Sequence, residues 1–100
     1  MGMNRDRQTD ELFRSILSLE SVEECYRYFE DLCTIKEIQA LGQRLEVARQ
    51  LDEGCSYMRV GEATGASSAT IGRVKRCLNY GAGGYRLVLD RMRKGGETDA

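Results

Sequence analysis

Apolar residues recur along this chain at spacings of three and four, the period of one face of an α-helix, and no stretch alternates residue by residue as a strand would. The pattern divides into six helices. The first begins near Thr9 or Asp10 and carries Leu12, Phe13, Ile16, Leu17 and Leu19 on a broad apolar face. Ser21 followed by Glu24 is a capping box, which opens a second helix with Val22, Cys25, Tyr26, Phe29, Leu32 and Cys33 in register. Thr34 and Glu37 repeat the box. A third helix therefore starts at about Ile35 and presents Ile38, Leu41, Leu45, Ala48 and Leu51 until Gly54 ends it. Ser56 caps a short fourth helix whose apolar members are Tyr57, Met58 and Val60.

The next stretch, EATGASSATIGRVK over residues 62–75, reads as the turn and second helix of a helix-turn-helix. Gly61 and Gly65 supply a small residue where two helices cross and a left-handed residue at a helix end. Ser67 is a good N-cap, and Ala66 staples the turn from just outside it. Ile71 and Val74 then face inward, leaving Ser68, Ala69, Gly72, Arg73 and Arg76 open to a DNA groove. This fifth helix runs to about Asn79, where Asn-Tyr-Gly-Ala-Gly-Gly makes a flexible break. A last helix over 83–94 turns Tyr85, Val88, Leu89 and Met92 inward and Arg86, Arg91, Arg93 and Lys94 outward. The same punctuation also suits a plain structural hairpin, so charge has to separate the two readings.

Charge is strongly polarised. Residues 55–94 hold eight Lys or Arg against two acids, Glu62 and Asp90, a net of +6, whereas residues 1–54 hold seven against twelve, a net of −5. The total of −1 hides a basic half able to neutralise phosphates. Within it, Ser67, Ser68, Ala69, Thr70, Gly72 and Arg73 are the residues to lie at or near a groove. Arg59, Lys75, Arg76 and Arg86 are those to hold phosphates.

A chain of 100 residues with 41% apolar and 31% charged side chains suits one helical domain over 1–100, with flexible tails at 1–8 and 95–100. Short helices in so small a chain are marginal alone, and oligomerisation relieves that. With no apolar run of membrane length and no apolar leader in MGMNRDRQTDE, neither a membrane partner nor secretion is expected, and the location is the cytoplasm. Cys25, Cys33, Cys55 and Cys77 show no two-residue spacing, and the chain has no histidine, so no metal is expected and the thiols read as reduced. Without histidine there is no Ser-His or Cys-His pair, and the carboxylates fit solvated helix faces. An enzyme is not expected, nor a cofactor.

The words ALGQR (40–44) and TGASSATIGRV (64–74), in this order of helices, resemble the Trp repressor superfamily, and most closely its YerC/YecD branch of small bacterial proteins. The resemblance covers roughly residues 10–93. It implies an all-α, six-helix fold and an intertwined homodimer, with 9–54 as dimerisation helices, 56–80 as the helix-turn-helix and 83–94 as the C-terminal helix. In tryptophan-sensing members two arginines hold the corepressor's indole. Those positions match Arg44 and Arg73, and Thr34 matches a further pocket position. The pattern then departs: Val74 stands where the sensors have glycine, and Cys77 where they have serine. A valine adds bulk where a flat ring must fit, and a thiol replaces a hydroxyl poorly beside an ammonium group. Thr34, Arg44, Arg73, Val74 and Cys77 thus mark a vestigial ligand pocket, with Arg44 alternatively an ordinary solvated or salt-bridged helix residue. The connection at Gly54, Cys55 and Ser56 is also one residue shorter than in the sensors.

The reading is a sequence-specific, DNA-binding transcriptional regulator, a repressor acting as a helix-turn-helix homodimer on double-stranded DNA and not responsive to tryptophan. The sequence names no small-molecule effector. The alternative is a non-enzymatic protein-interaction module that keeps the fold without binding DNA, favoured by a pI near 5.5.

Overall fold

The computed structural model describes residue 3 and residues 5–99, with side chains described as far as residue 95. Six α-helices account for most of them, and no strand occurs among the described residues: α1 (Arg7–Leu17), α2 (Val22–Leu32), α3 (Ile35–Asp52), α4 (Tyr57–Thr64), α5 (Ser68–Tyr80) and α6 (Gly84–Asp99). The all-α reading holds. The chain forms two compact units, Met1–Ile38 and Gln39–Ala100.

Helix starts follow local side-chain chemistry. Thr34 and Glu37 close a reciprocal box, the Glu37 amide donating to Thr34 Oγ1 at 3.1 Å and the Thr34 amide to Glu37 Oε1 at 2.8 Å. Ser21 caps α2 through the Glu24 amide at 3.1 Å, but the Glu24 carboxylate accepts from the amide of Glu20 rather than from that of Ser21. The first helix departs from expectation. Asp6, not a residue near Thr9, is its cap, and its carboxylate accepts from the Thr9 amide at 2.8 Å. That amide bond, first, and the Thr9 hydroxyl hold the Asp6 carboxyl below its ordinary value. At the other end α6 runs on to Asp99, beyond the expected stop at 94. The tails expected over 1–8 and 95–100 are therefore partly helical, and residues 1, 2, 4 and 100 lie outside the described set.

Among the described residues, the buried ones all lie in the second unit. Val47, Ala48, Leu51, Val60, Ala66, Ile71, Val74, Leu78 and Leu89 form its core, joined at the edge by Leu45, Cys55 and Tyr85. Val47, Val60 and Val74 are fully enclosed, each worth on the order of 1.5–3 kcal/mol relative to exposure. This places α4 and α5 against the second half of α3. In contrast, α1 and α2 contain no buried residue, and Leu17 and Val22 are 82% and 68% exposed. Apolar stripes that were to face inward are uncovered elsewhere too: Tyr57 and Met58 on α4, and Val88 and Met92 on α6, are exposed, while Val60 and Leu89 beside them are buried. Periodicity identifies these stripes but not how much of each is covered: on α4 only Val60 is buried, and on α6 Leu89, with Tyr85 at the edge of the core.

The end of α3 is clasped to α6. Asp52 accepts from both Arg86 and Arg93, the latter at 2.8 Å, and Arg93 also lies 3.5 Å from Asp90. Before α6 the chain turns at Gly81, where an added Cβ would lie 2.5 Å from the carbonyl oxygen of Cys77. Glycine is required there by a close approach of backbone to backbone. At Gly61 the added carbon would meet Ala66 and Ile71 at 3.7 Å, ordinary contact, so the crossing of α4 and α5 does not depend on a glycine.

Candidate functional site

The polar surface of interest is built by α4, the turn after it and the front of α5. Ser56 caps α4 by accepting from the Arg59 amide at 3.2 Å, and Gly65 ends that helix in the left-handed region with φ +74°. Thr64 closes the turn. Its hydroxyl donates to the Val60 carbonyl at 2.7 Å and accepts from the Ala66 amide at 3.2 Å, while Gln43 of α3 donates to the Thr64 carbonyl at 3.2 Å. Ser67 then caps α5 through the Thr70 amide at 3.2 Å, and the two hydroxyls lie 3.1 Å apart. The turn is thereby fixed from both sides, with Ala66 buried beneath it. Neither the Gln43 tie nor the Thr64 bridge carries a sequence signal beyond a polar residue at a helix end.

Beyond the cap, Ser68, Ala69, Arg73 and Arg76 are exposed, Thr70, Gly72 and Lys75 are half-buried, and Ile71, Val74 and Leu78 point into the core. The division of α5 into an inward and an outward face follows the sequence reading. Arg59 is exposed on the first turn of α4. Among the described residues no acid lies within ion-pair distance of Arg59, Arg73, Lys75 or Arg76. Arg86 differs, because its guanidinium is tied to Asp52 and so is already neutralised. The outward face of α6 thus contributes less uncompensated charge than the count over residues 55–94 implies.

The five residues that the resemblance assigns to a ligand pocket are not equivalent. Val74 is 1% exposed and belongs to the core, so its side chain fills space rather than lining a site. Cys77 is exposed and borders an apolar cleft with Leu45, Tyr85 and Val88. Arg44 is half-buried on α3 and pairs with no acid among the described residues, while Arg73 is exposed. Thr34 lies in the other compact unit, where its hydroxyl is engaged in capping α3.

The four cysteines are free thiols, and no group of three or more metal-ligating side chains gathers among the described residues. No helix among those residues is long and apolar enough to cross a membrane.

The family described as Trp repressor protein matches residues 7–93, nearly the whole of the six-helix array. The chain belongs to the Trp repressor family. It is 61% identical over 90 residues to the protein YerC of Bacillus subtilis, a match spanning 90% of this chain and 86% of that one. A crystal structure of a candidate Trp repressor from Staphylococcus aureus superposes with a TM-score of 0.87 at 52% identity, covering 89% of each chain. A TrpR like protein of Eubacterium eligens does so with a TM-score of 0.81 at 53% identity, covering 83% of this chain and 86% of its own. The fold is that of these Trp repressor relatives.

Proposed function

We propose that this Trp repressor family member is a homodimeric helix-turn-helix protein that binds double-stranded DNA and regulates transcription, as a repressor in keeping with its family's name. The observation that carries the reading is the capped turn at Gly65, φ +74°, between two helices that carry Arg59, Arg73, Lys75 and Arg76 with no acid paired to them among the described residues. A duplex presents phosphates at close spacing, and cations left without protein partners exchange their counterions for those phosphates. The small residues Ser68, Ala69 and Gly72 let α5 approach base edges, with Arg73 reaching a guanine or a phosphate beside them. Ser67 and Thr70 serve first to hold the helix start in position.

Dimerisation rests on the uncovered apolar residues of α1 and α2, which a second copy would bury. Sedimentation then gives a dimer at micromolar concentration, and a stable folded monomer would contradict it. No catalytic step, cofactor or metal enters this role, and the place of action is the cytoplasm, where the DNA is.

The test of the DNA reading is a pair of substitutions. Arg73→Ala is expected to cost about 1–3 kcal/mol, mostly on the preferred site, and Lys75→Ala to weaken binding to all sequences alike. If the dimer retains no duplex at low salt, or neither change alters retention, the protein is instead an interaction module built on the same fold, a reading favoured by its net charge of −1.

A further inference from the structure

Two large apolar side chains stand at the start of α4 with nothing over them. Met58 is 74% exposed and Tyr57 48%, although Val60 two residues on is fully buried. They share an open cleft of about 400 Å³ with Ser68 on the first turn of α5 and with Glu62. Next to Met58 in the chain is Arg59, exposed and without an acidic partner among the described residues. The cleft is thus lined mostly by apolar side chains, with Glu62 as its one charged neighbour, and Ser68 brings it to the start of α5.

We infer that Met58 is a specificity-determining residue that packs against the 5-methyl group of a thymine in the major groove, and this rests on the DNA reading above. When a helix-turn-helix docks, the N-terminal residues of its second helix meet base edges while the first helix crosses the backbone, so a residue on the first turn of α4 that shares a cleft with Ser68 lies beside the bases. The front of α5 offers Arg73 for a guanine but only the small methyls of Ala69 and Thr70 as apolar contacts and no Asn or Gln, so it reads A·T pairs weakly by itself. The thymine methyl is the one apolar group the major groove displays, and an unbranched, polarizable thioether adapts to it. Glu62 decides against the other DNA component. Its carboxylate repels phosphate at the cleft, so what enters is a base edge and not the backbone. Arg59, Arg73 and Arg76, exposed on the same two helices and without acidic partners among the described residues, favour a polyanion at this face over the apolar side of the acidic N-terminal helices of a second copy.

The experiment uses a duplex recovered by selection from random sequence with the full-length dimer. Each thymine of a half-site is replaced in turn by deoxyuridine, which removes only the methyl group, and binding is measured for the wild type, Met58→Ala and Met58→Leu. At one thymine per half-site the wild type is expected to lose about fourfold, the worth of one buried methyl. Met58→Ala should bind the thymine and deoxyuridine duplexes equally, and Met58→Leu should keep the preference. If wild type binds but deoxyuridine costs nothing, or costs Met58→Ala the same, the inference falls and the DNA reading stands. If Met58→Ala weakens the dimer in sedimentation instead, a second copy covers the cleft and the inference falls. If wild type recovers no duplex at all, the DNA reading itself has failed.

Discussion

Asp52 and Arg93 lie 41 residues apart in sequence and 2.8 Å apart in the structure, the carboxylate at the end of α3 accepting from the guanidinium on α6. Arg86 binds the other carboxylate oxygen, so one partly buried acid neutralises two of the cations on the basic half of the chain. The clasp fixes α6 and at the same time lowers the charge that α6 can offer a polyanion.

Asp52→Ala is accordingly expected to cost about 1–2 kcal/mol, between the value of a surface pair and that of a buried one. Arg86→Ala should destabilise in the same direction, and the double variant should lose less than the two singles together. Denaturant titration of the three proteins checks it; strict additivity would show that the clasp contributes nothing.

Gly81→Ala is expected to destabilise by about 1–3 kcal/mol, because the new carbon would sit 2.5 Å from the Cys77 carbonyl and the backbone must shift to admit it. Gly61→Ala serves as the control. Its added carbon finds contacts of 3.7 Å, and thermal melting should leave it near the wild type.

Glu46 bonds to Arg49 and to Gln50, and the Arg49 bond, as the larger cause, holds its carboxyl below the ordinary glutamate value. A depressed carboxyl stabilises the fold above that ordinary value and loses the contribution as pH falls through the depressed one. Glu46→Gln should therefore trail the wild type slightly at neutral pH, with the gap closing in acid. The gap is small because the pair is solvent-exposed. Melting curves across that range would contradict the account if the gap widened on acidification.

L-Tryptophan is expected to bind neither the free protein nor its DNA complex. Val74 is committed to the core and Cys77 offers a thiol where the tryptophan sensors have a hydroxyl. Calorimetry should register no binding; a dissociation constant of tens of micromolar, about 6 kcal/mol, would overturn this.

What the sequence showed depended on range. The starts of α2, α3, α4 and α5 were legible because each rests on a side chain bonding an amide three residues away, as Thr34 does with Glu37 and Ser67 with Thr70. The left-handed Gly65 was legible because glycine at a helix end adopts that conformation without a Cβ penalty. Asp6 carries the same kind of signal, Asp three residues before Thr9, but it lies ahead of the apolar stripe by which the pattern places the start of α1. The clasp on Asp52 was not legible, since no local rule connects residues 34 and 41 positions apart. Nor was the exposure of Met58 and Val88, because one helix's apolar stripe does not reveal how much of it the neighbouring helices will cover. At the candidate site, the inward and outward faces of α5 came from its period. The neutralisation of Arg86 did not, because a charge count within 55–94 omits the acid at 52.

The most direct test is the salt dependence of duplex binding by the purified protein. Arg59, Arg73, Lys75 and Arg76, without acidic partners among the described residues, allow up to roughly eight phosphate contacts in the proposed dimer, so log K should fall against log salt with a slope on the order of −4 to −7. A slope near zero, or no retention of any duplex at low salt, would contradict the account.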